Sequence, residues 1–274
     1  LEVCRRNLER WSTGRALADV ALHDPASLRH KLSTRPADAD PDGEAWLRAR
    51  IGQRFGTPVR RGKRVLWPLG DGGLLVHLGM TGKWKRGGPV TKAIRASLTL
   101  DDGAVLHFSD PRRFGCLVPG ADDAMLGAGL GPDALSGLDG PALAARMGSR
   151  GQLKVLLMDQ ARLAGVGNIQ AAETLYRAKV GPWASPASLD EAAWDRVATE
   201  LESQLQYTIA VTDADDVAYM SDGAHVDNPF AVYGREGESC RLCGTTIVKS
   251  RQGGRATFWC PGCQGITSGR SPTE

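Results

Sequence analysis

The sequence predicts an α+β protein: a strand-rich first part, a helical middle and a metal-bound hairpin at the end. Three observations carry this. Short β-type runs, "RVLWPL", "GLLVHL", "ASLTL", "AVLHF" and "GCLVP", are separated by turn signals such as "GDGG" and "DDG", as expected of antiparallel sheet. From about residue 121 the apolar spacing turns helical. Near the C-terminus, "CRLCGTTIVKSRQGGRATFWCPGC" places two Cys-x-x-Cys pairs sixteen residues apart. Strands and helices segregated along the chain mark an α+β architecture.

Taken in order, the chain opens on a helix, since "LEVCRRNLERW" sets Leu1, Cys4, Leu8 and Trp11 at helical spacing. The strand runs follow. In "LKVLLMDQARLAGVGNIQAAETLYRAK" one helix is expected to end near Gly165, Gly165 and Gly167 punctuate a tight turn, and Asn168 is the expected N-cap of the next helix. Backbone N–H groups and an amide at a positive helix end suit a phosphate. An ordinary helical corner with a capping asparagine fits the same residues. "SLDEAAWDRVATELESQLQYTIA" opens with a capping box, Ser188 with Glu191, and carries a core stripe of Trp194, Val197, Leu201, Leu205 and Ile209. "TDADDVAYMSDGAHVDNPF" is a loop that leads to the hairpin.

The cysteine spacing points to zinc. Two knuckles 15–20 residues apart match the tetrahedral four-thiolate pattern, each knuckle supplying two sulfurs. Cys240, Cys243, Cys260 and Cys263 fill all four positions, so one structural zinc with no open site for water is expected. Disulfides or a redox motif fit less well, because nothing resembles a signal peptide and no βαβ context surrounds the pairs. "TTIVKS" and "RATFW" flank "RQGG" as a hairpin, with Arg255, Thr257 and Trp259 on one face and Arg255 at the rim.

The chain has 274 residues, 42% of them hydrophobic, enough for two or three folded units, and no apolar run long enough to span a membrane. Cys4 and Cys116 are isolated and read as buried free thiols in a cytosolic composition. Net charge is only +3, but it is uneven. Arg48, Arg50, Arg54, Arg60, Arg61, Lys63 and Arg64 fall in a stretch without an acidic residue, and residues 240–274 hold five Lys/Arg against Glu274. Such clustering is the footprint of a polyanion binder, or simply a solvated face.

"VRRGKRVLW", "VHLGMTGKW", "FSDPRRFG", "KVLLMDQARLAGVGNI" and "VYGREGESCRLCG…RATFWCPGCQ" stand in the order seen in the formamidopyrimidine-DNA glycosylase/endonuclease VIII family. The resemblance runs from Leu1 to about Gln264 and is closest to the formamidopyrimidine-DNA glycosylase branch. It implies an N-terminal two-layer β-sandwich flanked by helices, a central helix-two-turn-helix domain and a C-terminal zinc hairpin, with expected boundaries at 1–119, 120–228 and 229–268. It further implies a bifunctional base-excision repair enzyme, a glycosylase with abasic-site lyase activity (β/δ-elimination). The partner is damaged or abasic double-stranded DNA held in a cleft by a monomeric protein. A cytoplasmic, nucleoid-associated bacterial setting goes with it.

By the same resemblance, Lys63 is the phosphate-contacting lysine linked to elimination, and Asn168 and Arg255 pinch the phosphates beside the lesion. Met80, Arg112 and Phe114 resemble the residues that enter the duplex where a damaged nucleotide has left, since chemistry on a base needs it extruded. His77 and Lys154 match DNA-facing positions more loosely, and Arg95 and Arg150 are further candidate DNA contacts. The filling set and the loop around "SDG", residues 221–223, resemble the branch acting on 8-oxoguanine and formamidopyrimidines. There are two departures from the pattern: Ala93 and Arg95 stand where many relatives carry His-x-His, and Gln170 replaces the usual tyrosine.

The largest departure is at the start. The family's nucleophile is the secondary amine of an N-terminal proline followed by a glutamate as general acid. Aligning on Arg5 and Arg6 puts Leu1 about five residues after that proline. The expectation is an enzyme that lacks its first residues as written. The competing reading is a damaged-DNA binder of the same fold without a nucleophile. A generic zinc-ribbon protein would explain neither "DPRRFG" nor "GVGNI".

Overall fold

In the computed structural model, residues 1–212 and 228–265 are described, and they fall into two compact units. The first unit runs over Leu1–Ala128. It contains α1 (Glu2–Ser12), β1 (Leu17–Leu22), α2 (Gly43–Arg48), β2 (Val59–Arg61), β3 (Arg64–Leu69), β4 (Gly72–His77), β5 (Lys83–Arg86), β6 (Ile94–Leu100), β7 (Val105–Ser109), β8 (Cys116–Ala121) and α3 (Asp123–Gly127). Two antiparallel four-stranded sheets, ordered β2-β3-β4-β8 and β1-β6-β7-β5, share one core. Trp67 and Val76 of one sheet meet Leu98 and Phe108 of the other there. An aromatic run, Phe55–Trp67–Trp84–Phe108, crosses this layer with ring centroids 4.3, 5.2 and 5.4 Å apart.

All five strand runs read from the sequence are strands. Three others are not visible as patterns. β5, "KWKR", has one apolar residue; β2 has three residues in all; and β1 carries a register shift between Leu17 and Asp19 that breaks its alternation. The opening helix forms as its spacing predicts, burying Cys4, Leu8 and Trp11.

The second unit holds α4 (Gly140–Met147), α5 (Leu153–Leu157), α6 (Asn168–Arg177), α7 (Glu191–Val211), β9 (Val248–Gln252), β10 (Arg255–Trp259) and α8 (Pro261–Gln264). The helix stripe is core: Trp194, Val197 and Leu201 are buried against Leu143, Leu175 and their neighbours. Three local expectations change. α5 ends at Leu157, well before Gly165, because Gln160 takes over the turn; its amide donates to Met158 O and Val166 O and accepts from Gly165 N. The cap of α7 is Asp190, which accepts from Ala193 N at 2.8 Å, while the Ser188 hydroxyl turns back to Ser185 O. The cap of α6 is Gly167, so Asn168 is its first helical residue and its amide is free for other partners.

Residues 221–223 lie outside the described residues. Among the described residues no helix is long and apolar enough to cross a membrane.

Candidate DNA-phosphate and lesion site

In the second unit, Asn168 sits where two secondary elements meet. Its Nδ2 donates to Ala256 O of β10 at 2.9 Å, and its Oδ1 accepts from Lys154 Nζ at 2.6 Å. Lys154 comes from α5, is fully buried, and also donates to Thr257 Oγ1 at 2.9 Å. One ammonium therefore fixes the asparagine and the hairpin together. Arg255, the next residue along β10, leaves the two-glycine turn Gly253–Gly254, whose φ of 55° and 76° is the positive-φ pair that tight hairpins require. It is exposed, beside the N-terminal end of α6. An amide, a guanidinium and a helix N-terminus thus gather at one place, a set suited to phosphate oxygens.

Lys154, expected among the DNA contacts, is enclosed by protein and acts on Asn168. Burial, then the charge of Arg255, pulls its ammonium down to about 8. Between that value and its ordinary 10.5 the unfolded chain binds more protons than the folded one, so stability rises with pH across this window. Relative to Lys154→Met, the parent should gain up to about 3 kcal/mol between pH 8 and 10.5, at 1.36 kcal/mol per unit. Denaturant titrations of both forms at pH 7.5, 9 and 10 check this; parallel profiles would contradict it.

The hairpin is mounted on the cysteine cluster. The four Sγ atoms of Cys240, Cys243, Cys260 and Cys263 lie within 4.8 Å of one another, with Cys240–Cys263 at 3.7 Å and Cys243–Cys260 at 3.4 Å. A tetrahedral zinc with Zn–S near 2.3 Å needs sulfurs about 3.8 Å apart, whereas a disulfide needs about 2.05 Å. Backbone N–H groups of Leu242 and Cys263 point at Cys240 Sγ and Cys260 Sγ, as they do toward thiolates. The donor set fits one structural zinc, and all four positions are filled by protein. Tyr176 of α6 reaches the same cluster, its hydroxyl 3.2 Å from Cys240 Sγ. Glu173, one turn earlier and fully buried, accepts from the backbone N–H groups of Ala231, Val232 and Tyr233. The helix that begins at Asn168 is thereby tied to the metal module along its length. Neither residue stood out in the sequence, because a mid-helix Glu or Tyr looks like any other.

In the first unit, the turn between β2 and β3 presents Lys63 after Gly62, whose φ is 58°. His77 ends β4, half-buried; burial, then the charges of Lys63 and Arg64, lowers its imidazole to about 4. It is neutral at pH 7. Nδ1 accepts from Gly79 N, so the proton sits on Nε2, a ready donor. Met80 follows on the 78–82 turn, 60% exposed. A Cβ at Gly79 would lie 2.5 Å from Phe114 C, so only glycine lets the loop that carries Met80 approach the backbone of the loop that carries Phe114. Asp110 joins them: Oδ1 accepts from Thr81 Oγ1 at 2.9 Å and Oδ2 from Gly115 N at 2.6 Å. Arg112 is exposed, its guanidinium carbon 5.0 Å from the Phe114 ring centroid. Arg150 is exposed on the turn before α5 in the second unit. Arg95 is spent on protein, donating to Asp110 O at 2.8 Å and Pro111 O at 3.3 Å.

The basic run of residues 48–66 is largely paired by acids that lie outside it. Arg48 meets Glu44, Arg50 meets Asp71, Arg54 meets Asp101 and Arg60 meets Glu2. Arg64 closes the carbonyl end of α3. The run is thus more a scaffold than an open positive face.

Family models match the whole of this arrangement. The formamidopyrimidine-DNA glycosylase N-terminal domain matches residues 1–117, the H2TH domain of the same glycosylase 130–217, and the zinc finger found in FPG and IleRS 237–265. The formamidopyrimidine-DNA glycosylase of Geobacter sulfurreducens is 39% identical over 276 residues, 96% of this chain and 97% of that protein. The Thermus thermophilus MutM (Fpg) crystal structure shares 35% identity with a TM-score of 0.76, covering 96% and 97% of the two chains. Lactococcus lactis Fpg in complex with abasic-site DNA gives a TM-score of 0.82 at 26% identity, covering 97% and 98%. The chain belongs to the formamidopyrimidine-DNA glycosylase family of bifunctional DNA glycosylase/abasic-site lyases, with an N-terminal sheet domain, an H2TH domain and a C-terminal zinc finger.

Proposed function

We propose that the chain binds duplex DNA at oxidised purines, 8-oxoguanine and formamidopyrimidine, and at abasic sites, and that it excises the base and cleaves the strand by β/δ-elimination. The observation that carries this is the lock of Lys154 on Asn168 and β10, which sets an amide and Arg255 side by side at the start of α6. Contacts of this kind fix the register of the backbone and read no sequence. Lys63 and the Nε2–H of His77 add phosphate donors. Met80, Arg112 and Phe114, brought onto adjoining loops, are the residues that occupy the duplex once the damaged nucleotide swings out. The complexes of Lactococcus lactis Fpg with abasic-site and FAPY-dG DNA support this substrate class. The domains divide at 1–128, 129–228 and 229–268, the first boundary moved from the expected 119 to keep β8 and α3 with the first unit. The protein works as a monomer on the bacterial nucleoid in the cytoplasm.

Arg255→Ala and Asn168→Ala should each weaken binding to abasic-site duplex by roughly 1–3 kcal/mol, the cost of losing a charged hydrogen bond. Affinity should fall steeply with salt through counterion release. Fluorescence titrations at several salt concentrations check both. Affinity indifferent to both substitutions and to salt would remove the phosphate grip from the account.

A further inference from the structure

The loop between β7 and β8, Asp110–Gly115, has no regular secondary structure, yet two arginines grip its backbone and an aspartate grips one of its side chains. Arg95 donates to Asp110 O at 2.8 Å and to Pro111 O at 3.3 Å. Arg29, 1% exposed, donates to Arg113 O at 3.3 Å and holds its own segment through Ala26 O and Ser33 O. Arg113 stands in the left-handed region at φ 59°, a conformation that a bulky residue keeps only when its surroundings over-determine it. Its guanidinium is held by both oxygens of Asp24 at 2.8 Å. Asp24 is buried and also lies 3.8 Å from Arg95 Nη1. The left-handed residue sits between Arg112 and Phe114, the two side chains read above as entering the duplex.

We propose that Asp24, Arg29 and Arg95 are positioning residues that brace this loop in its working shape before DNA arrives. The brace rests on the reading that Arg112 and Phe114 fill the space of the extruded nucleotide. Arg95 serves it because a guanidinium offers donors in a fixed planar fork, enough for two carbonyls and a carboxylate at once. An imidazole at this position has at most two. The Arg95 side chain is therefore used here to hold the loop. Preorganisation of this kind lowers the ordering cost of binding and acts only on DNA that has a vacancy to fill.

The test is a comparison of affinity for abasic-site and intact duplexes of one sequence, made with the full zinc-loaded chain. Arg95→Met and Asp24→Asn are each introduced into the parent and into Arg112→Ala/Phe114→Ala. In the parent, each should cut the preference for abasic DNA by about tenfold and leave binding to intact DNA unchanged, a coupling typical of residues in one network. In the doubly substituted background neither should reduce the preference further. Equal losses in both backgrounds, or loss of intact-DNA binding, would show general damage and overturn the brace. No loss in the parent, with Arg112→Ala/Phe114→Ala itself impaired, would overturn the brace while keeping the filling role. An unimpaired Arg112→Ala/Phe114→Ala would overturn the filling role and the brace with it. Thermal unfolding and zinc content of each variant separate misfolding from these outcomes, and Arg95→Gln, which keeps donors at that site, should fall between parent and Arg95→Met.

Discussion

Replacing Cys260 with serine should release the zinc and weaken binding to abasic-site DNA roughly a hundredfold or more, since binding energy for a structural zinc is folding energy. Cys260 is the hinge of this expectation. Its Sγ lies 3.4 Å from Cys243 Sγ, and it directly follows β10, which carries Arg255 at its other end. Without the metal, the hairpin loses its anchor, and three effects reach the phosphate site together. Arg255 loses its mount. Asn168 loses Ala256 O as its acceptor, and Lys154 loses Thr257 Oγ1 and is left buried with fewer partners. Removing one partner from a buried charge costs more than the lost bond itself. The β-sandwich core, which contains none of the four cysteines, should keep its own unfolding transition. Metal content and binding titrations on the reduced protein check this. Protein purified without zinc that still binds abasic DNA would contradict it.

The parts legible in the sequence were those fixed by short-range pattern. The zinc knuckles depend on spacing alone, the hairpin on two glycines between β-branched runs, and the core stripe of α7 on period 3.6. What escaped was set by partners far along the chain. Asn168 looked like a helix cap because asparagine before a helix usually caps it; the structure gives the cap to Gly167 and turns the amide toward Ala256, 88 residues away. Lys154 loosely matched a DNA-facing position and is instead fully buried, bonded to Asn168 and Thr257. The arginine-rich run looked like a polyanion footprint because Glu2, Asp71 and Asp101 lie outside it. Asp24, whose bond to Arg113 spans 89 residues, carries no local signal at all.

Imine trapping tests most directly whether this fold performs glycosylase/lyase chemistry through an N-terminal amine. An amine that attacks C1′ of an abasic sugar passes through an imine, which borohydride reduces to a stable protein–DNA adduct. With Pro-Glu-Leu-Pro-Glu placed ahead of Leu1 and the proline as free terminus, the chain should give this adduct in high yield together with strand cleavage. Acylating that proline should abolish both. Beginning at Leu1, the chain should bind but give little adduct. Burial lowers the Leu1 amine below its ordinary value, which favours the unprotonated form, so the low yield rests on position: Leu1 packs against the sandwich core at the N-cap of α1. Its neighbour Glu2 cannot serve as the acid: burial pushes its carboxyl up, but hydrogen bonds and charge from Arg5, with Arg6 and Arg60, hold it below the usual range and ionised. An extended chain that binds abasic DNA and yields no adduct would contradict that chemistry and leave a damaged-DNA binder in its place.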